Sequence, residues 1–429
     1  MSRIAGIRAR QVLDSRGNPA LEADVFLEDG SHGRGMVPAG ASKGKGEACE
    51  LRDKDAAKYG GMGVLEAAAH VEQVIAPEVN GMDARDQEGV DDKLIALDGT
   101  DNKRHLGANA LLAVSLGAAR AASVSAGLPL YRYLGGLSAI ELPVPMVNIL
   151  SGGLHGGGNA DFQDYLVIPL RATSYSDALR DAAAIYAAMK DVLKSHAVYT
   201  PGVADEGGYA PKLDSNAAGF DLMIEAFERA GFRPGKDAAI AVDVAASQFA
   251  SRGRYDLAAE GVTLDSRELA RRLEEWAGRY PILSIEDGLG EDDWAGWKDL
   301  TKKLGGRCQL IGDDLFVTNL ERLKRGIDEG AANSVLVKMN QAGTLSETLA
   351  VAMCARSHGY GTVVSARSGE TEDDFMSDLA VALGAGQIKI GSVTRSERLA
   401  KYNRLLRIES ELGARAAYAG ADPFRNYLP

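Results

Sequence analysis

Four apolar runs in the second half of the chain each end in an ionisable residue: residues 239–242 in Asp243, 282–285 in Glu286, 309–312 in Asp313 and 334–337 in Lys338. The separations of 43, 27 and 25 residues suit one βα unit each, or one unit with an insertion. The four charges would then meet at the carboxyl rim of a barrel, where active sites of that fold lie. Three neighbouring carboxylates repel one another unless a cation lies between them, and all-oxygen donors on rigid strand ends suit a hard ion such as Mg²⁺ rather than zinc. A single acid behind a strand caps the next helix as readily as it binds metal. Three in register, followed by a lysine, weigh toward a site. Beside a cation, and with Lys389 or Arg367 as neighbours, Lys338 would have a lowered pKa and could act as a base, the alternative being a plain ion pair with Asp313. Removing a proton next to a carboxylate creates a doubly charged enediolate, and divalent cations on its oxygens stabilise it directly.

Other charges join this set. Arg367 and Ser368 follow the run 362–365, and Lys389 follows Gln387 and Ile388; such groups suit a phosphate or carboxylate. The acidic, glycine-bearing loop 205–208 could present Glu206 as a general acid on the face opposite Lys338, although taken alone it reads as a turn. Two glycine-rich stretches, 40–44 with Ser42 and 152–158 with His155, could move as lids. His155 is one of six histidines, and in such a loop it is a better site candidate than core residue. The same stretches match, in pieces, the G-x-S-x-G elbow and the oxyanion loop of serine hydrolases. That reading fails on order, since the oxyanion loop should come first, and on context, since the run 35–38 is weak for a strand and contains Pro38. A non-catalytic binding role would predict that Lys338→Ala leaves every function intact.

These residues need a large scaffold. A chain of 429 residues exceeds one small core, so a barrel with a smaller domain is expected. Hydrophobic residues at 45% and charged residues at 25% describe a folded globular protein. A formal net charge of −12 disfavours nucleic acid and anionic membrane as partners. Cys49, Cys308 and Cys354 are odd in number and far apart, which suggests neither a disulfide framework nor a thiolate zinc site and fits a reducing compartment. The first residues lack the apolar stretch of a secretory signal and no run reads as long enough to cross a bilayer, so a cytoplasmic location is expected. Residues 20–27 read as a strand behind the turn cluster 14–19, and 107–126 as a helix stopped by Gly127 and Pro129. Gly135-Gly136 and Pro143-Val144-Pro145 mark a junction, giving an N-terminal α+β domain over 1–136 and a catalytic domain over 137–429. Beyond the junction, short β-rich runs alternate with amphipathic helices such as 176–193 and 266–276, as in a parallel α/β barrel.

The chain resembles the enolase family from end to end. The stretches that carry the resemblance are DSRGNP at Asp14, LDGTDNK at Leu97, GANALLAVSLG at Gly107, DEGGYAP at Asp205, SIEDGL at Ser284, GDDLFVTN at Gly312, RSGETED at Arg367 and GQIK at Gly386. The resemblance implies a small N-terminal α+β domain on an eight-fold β/α (TIM-like) barrel, a homodimer and two Mg²⁺ ions. One ion would lie on Asp243, Glu286 and Asp313, and the second would be recruited with substrate and the Ser42 loop. Lys338 would be the base, Glu206 the acid that helps the hydroxyl leave, and Arg367, Ser368 and Lys389 the holders of substrate anions. His155, Gln163 and Asp164 complete the implied site, His155 and Asp164 as catalytic groups and Gln163 in substrate binding.

Several positions depart from the family pattern. Ala366 stands where enolases carry His and Asp164 where they carry Glu; Ala39 replaces Ser, Lys43 Thr, Ser151 Asn, Ala204 Gly, Val244 Cys and Ile390 Thr. The changes cluster at lids and strand ends, while the metal ligands and the base are kept. Alanine donates no hydrogen bond, and losing a positioned acid/base or anion-stabilising group costs ~10²–10⁴-fold in rate. Ala366 also opens volume, and Asp164 withdraws a carboxylate by one methylene. Both suit a bulkier substrate, and Lys43 suits an added negative charge. The expectation is a Mg²⁺-dependent lyase acting on a phosphorylated or phosphonylated glycerate-like acid, with the ordinary glycolytic substrate as the alternative.

Overall fold

A computed structural model describes residues 2–40 and 44–428, so Ser42 and Lys43 lie outside the described residues. Strands β1 (Ile4–Leu13), β2 (Pro19–Leu27) and β3 (His32–Val37) form an antiparallel meander. The first turn is fixed by Asp14, whose Oδ1 accepts from the amides of Arg16 and Asn18, both at 2.8 Å. Strand β2 alternates apolar and acidic residues, yet its acids are buried as well. Arg10 and Arg34 cover that face, donating to Asp24 at 2.6 and 2.8 Å, so the acids leave water with partners. The other face receives the helix Ala108–Ser125, close to the expected 107–126. The approach is tight because glycines face the helix: a Cβ on Gly33 would lie 2.2 Å from the Ala121 amide nitrogen. This helix corrects one expectation, since by length and composition it could cross a bilayer. It is 83% buried inside the protein and serves as the core helix of the N-terminal half.

The second half closes an eight-stranded barrel. Its strands are β4 (Val144–Ser151), β5 (Asp164–Pro169), β6 (Ala238–Asp243), β7 (Ile282–Glu286), β8 (Gln309–Gly312), β9 (Ser334–Val337), β10 (Gly361–Ser365) and β11 (Gly386–Gly391). An all-parallel barrel was expected, and here the structure differs. β5 runs antiparallel to β4 and to β6, while the remaining neighbours are parallel. The connection fits this: a parallel return usually crosses over through a helix, whereas residues 152–163 after β4 form no helix and turn straight back. The chain then needs two helices to reach β6, Tyr175–Ser195 and Asn216–Arg229, which pack on each other. One carries it up and the other back down, so the connection holding Glu206 falls at the same rim as the strand exits.

The helix Tyr175–Ser195 begins on Ser174, whose hydroxyl accepts from the Asp177 amide, and Ser266–Arg279 begins on a capping box of Asp265 and Glu268. Both run slightly past their expected ends. Inside the barrel, inward residues such as Met146, Leu166, Ile311, Leu336 and Val363 fill the lumen as a packed core, which leaves the rim as the place for polar chemistry.

Candidate active site

Asp243 and Glu286 are the last residues of β6 and β7 and stand in register with each other. Asp164, the first residue of the reversed β5, stands in register with Asp243, so strand reversal brings a third acid to the same rim. Asp313 and Lys338 directly follow β8 and β9. Arg367 and Ser368 follow β10, and Lys389 lies within β11 opposite Ser365. All of these except Lys338, which is slightly more open, are buried. A cavity of about 20 Å³ is lined by Glu47, His155, Glu206, Asp313, Lys338, Ala366 and Lys389 among others.

The expected charges do converge; Lys338 makes the ion pair with Asp313 that was the alternative reading, and Lys389 pairs differently from expectation. The Lys389 ammonium lies 2.8 Å from Asp243 Oδ2 and 2.7 Å from Glu286 Oε2; it bridges two acids instead of standing free for a substrate anion. Lys338 Nζ lies 2.5 Å from Asp313 Oδ2, whose other oxygen accepts from Gln341 Nε2 at 2.9 Å. The lowered pKa expected of Lys338 presumes a cation beside it; with the protein groups alone the direction is the opposite. Burial, then Arg367 and Lys389, work against its charge, but Asp313 and Glu286 together outweigh them and raise it. Reciprocally, burial pushes Asp313 up and Lys338 holds it below the usual carboxylate range. Glu286 is raised well above that range by burial and by Asp243.

These donors fit a divalent cation. The oxygens of Asp243 and Glu286 already converge on one positive centre, the Lys389 ammonium, and every nearby ligand atom is a hard oxygen. Asp287, Asp313 and Asp314 form a further cluster within 4.8 Å, with Asp314 raised to about 7 by burial and by Asp313. Asp287 in that cluster is a structural cap: its carboxylate accepts from the Asp313 amide at 3.0 Å and the Asp314 amide at 2.8 Å.

The opposite wall is built from His155, Asp164 and Glu206. Asp164 Oδ1 accepts from Asn148 Nδ2 at 2.5 Å and Ser151 Oγ at 2.9 Å, and its Oδ2 lies 2.9 Å from His155 Nδ1. Burial lowers the His155 pKa, but Asp164 and then Glu206 outweigh it and raise it. His155 Nε2 is 4.0 Å from Glu206 Oε1, and Glu206 Oε2 is buried with no hydrogen-bond partner among the described residues. The Glu206 loop is pinned through its backbone: the Glu206 carbonyl accepts from the Ser392 amide at 2.8 Å, and the Gly207 carbonyl from Tyr186 at 3.0 Å and Thr394 at 2.9 Å.

Gln163 Nε2 donates to Asp243 Oδ2 at 3.1 Å. Arg367 donates to Glu47 Oε2 at 3.1 Å and Asn340 Oδ1 at 3.0 Å. Glu47, Asn148, Asn340 and Gln341 escaped the sequence reading, because a lone polar residue, whether in a loop, within β4 or in the helical turn Met339–Ala342, carries no motif. Asp314 had a signal, the doubled acid behind Gly312. The run 35–38, read as too weak for a strand, is in fact mostly β3. It is the edge of an antiparallel meander, which still offers no parallel sheet for a nucleophile elbow.

Two family models match this chain almost end to end: the enolase N-terminal domain over residues 4–134 and the enolase C-terminal TIM barrel domain over residues 139–427. The chain belongs to the enolase family. It is thus a lyase-type enzyme of a family that binds divalent metal and acts on small phosphorylated acids. Of the positions read in the sequence as departures, Ala366 is buried on the cavity wall, while Val244 and Ile390 pack fully buried in the apolar layer behind the strand exits. Ser151, another departure, is the residue whose hydroxyl holds Asp164.

Proposed function

We propose that this enolase-family protein is a Mg²⁺-dependent hydro-lyase whose substrate is a modified 2-phosphoglycerate, in which the phosphorus group carries an additional carboxylate. Its product would be a carboxyphosphonoenolpyruvate-type enol acid of phosphonate antibiotic biosynthesis, made by a cytoplasmic homodimer. The observation that carries the reading is Ala366 on the cavity wall, where a methyl group leaves room and donates no hydrogen bond, beside an otherwise kept set of acids and lysines.

Lys338 Nζ takes the α-proton. Glu206 returns a proton to the β-hydroxyl, which leaves as water, and the carbon–carbon double bond forms between the two positions. A divalent cation on Asp243, Glu286 and Asp313 would supply positive charge for the substrate carboxylate and compete with the Lys338 ammonium for Asp313, favouring the free amine. With that cation on Asp243 and Glu286, Lys389 would be released from the two acids to hold the substrate anions with Arg367 and Ser368, and Gln163 would keep Asp243 oriented. Ser42 would join the metal and substrate from its glycine-rich loop.

The test is turnover of 2-phosphoglycerate with Mg²⁺, followed by ultraviolet absorbance of the enol. Slow turnover is expected, with a gain of ~10²-fold or more in Ala366→His. Turnover at full glycolytic rates in the wild type would return the protein to the ordinary enolase reaction.

A further inference from the structure

We propose that Arg398 is a positioning residue that fixes the Arg367–Ser368 turn relative to Lys389, and so sets the geometry of the anion clamp from behind. It rests on the reading of Arg367, Ser368 and Lys389 as that clamp. The helix Ser396–Leu412 starts shortly after β11. Its residues 398, 401 and 402 are three and four apart and share one face, and all three side chains are buried. Arg398 Nη1 donates to the carbonyl of Arg367 at 2.7 Å and of Ile390 at 2.9 Å, and Nη2 to the carbonyl of Ser368 at 2.6 Å. One planar guanidinium thus spans the exits of β10 and β11, the two strands that deliver the clamp. Lys401 donates to the Thr371 carbonyl at 2.7 Å and pairs with Glu370 at 2.9 Å. Glu370 in turn accepts from the Arg367 amide at 3.0 Å, and the Tyr402 hydroxyl donates to the Gly391 carbonyl at 2.6 Å.

A stabilising role alone explains this poorly. A guanidinium taken wholly out of water is costly, and an apolar residue often serves stability as well. Arg398 has no carboxylate at hydrogen-bond distance: Glu397 Oε1 is 3.8 Å from Nε, and Nε itself is buried without a hydrogen-bond partner among the described residues. Its charge is met by carbonyls, and those belong to residues of the site. In a planar trans peptide the C=O and N–H point opposite ways. Holding the Arg367 and Ser368 carbonyls toward Arg398 therefore turns the Ser368 and Gly369 amides away from it. The Gly369 amide indeed donates to the Ala39 carbonyl at 3.1 Å, so the same turn holds the residue just before the first glycine-rich stretch. Lysine, a single point donor on a flexible stem, cannot hold three carbonyls in one plane.

The experiment compares the full-length, Mg²⁺-loaded wild type with Arg398→Lys and Arg398→Met. Three readouts are taken: orthophosphate binding by calorimetry, turnover, and thermal melting. Orthophosphate affinity and kcat/KM are expected to fall roughly 10–100-fold in Arg398→Met, and less in Arg398→Lys, without recovery when trimethylamine N-oxide restores the melting temperature. Hydrogen exchange should speed up first in the peptide covering residues 366–371. If Arg398→Met does not fold, Arg398→Lys decides. A folded variant within twofold of wild type in both binding and turnover overturns the proposal, as does an activity loss that the osmolyte reverses. A wild type that binds phosphate but turns over no glycerate substrate defeats the lyase reading alone, and the binding comparison still decides the role of Arg398. A wild type that binds no phosphate removes the clamp and the proposal with it.

Discussion

Asp164 is shorter by a methylene than the residue enolases carry, and its carboxylate is engaged on both oxygens, by Asn148 and Ser151 on one and His155 on the other. An acid held from three sides is suited to orienting the imidazole, more than to exchanging protons itself. Asp164→Asn keeps the shape but removes the charge that raises the His155 pKa and can turn an amide donor toward Nδ1. Turnover should fall by ~10²–10⁴-fold while the melting temperature moves little; kcat within threefold of wild type would show that the carboxylate is dispensable. At this scale the sequence was informative about where acids stand and less so about whom they meet. Strand-end spacing put Asp243, Glu286, Asp313 and Lys338 on one rim. The Lys338–Asp313 pair was one of the two readings the sequence offered, whereas the Lys389 bridge to Asp243 and Glu286 was illegible, because it depends on distances that spacing does not encode.

The elements that present these residues were partly legible. The Ala-rich stretch with its glycine and proline stop gives the helix Ala108–Ser125 almost to the residue, since composition and end signals are local. The direction of β5 was not, because a run of buried apolar residues reads the same for a strand running either way, and the helix-free return over residues 152–163 goes with the reversal. Two glycines separate the function of elements from their stability. Gly391 sits at φ +111, and a Cβ there would lie 2.8 Å from the Glu206 carbonyl oxygen and 3.1 Å from Arg398 Cδ. Gly391→Ala should therefore cost about 1–3 kcal/mol and depress turnover beyond what the lost stability explains, because it displaces the Glu206 loop. Gly33→Ala, with its clash against the Ala121 amide, should lower the unfolding midpoint in urea and leave kcat of the folded fraction unchanged. The reverse pattern would mean that the Glu206 loop position is immaterial and that the meander reaches the site.

On the scale of the whole molecule, several polar contacts tie the N-terminal half to the barrel, such as Lys103 to Glu347 at 2.8 Å and the Ser346 hydroxyl to Asp91 at 2.6 Å, and Arg120 makes the most branched of these. Arg120, on the helix Ala108–Ser125, donates to Asp373 at 2.6 and 2.8 Å and to Asp374 at 2.9 Å, and stacks 5.2 Å from the centre of the Phe375 ring. Asp373 also accepts from the Met36 amide of β3 at 3.0 Å. Burial pushes the Asp373 pKa up, but Arg120 outweighs it and the net shift is downward. A carboxylate depressed in the folded state adds stability above its unfolded pKa of about 4, and that contribution is lost as pH falls through the folded value. Arg120→Met reverses the sign. The acid is then buried without its cation, its pKa rises, and its contribution is present only at low pH and lost on going up. At pH 7 the variant should lose ~3–5 kcal/mol, the cost of a buried charge left alone, and the gap to wild type should narrow as pH drops toward 4. Adding Asp373→Asn should recover much of the loss, because the stranded charge is gone. Urea unfolding of the wild type, the single and the double variant at both pH values measures all of this. A single variant that loses under about 1 kcal/mol, equally at both pH values, would leave the tie to the other contacts, the polar ones of Lys103 with Glu347 and Asp91 with Ser346 and the apolar ones of Leu345, Phe375 and Leu379 with the N-terminal core.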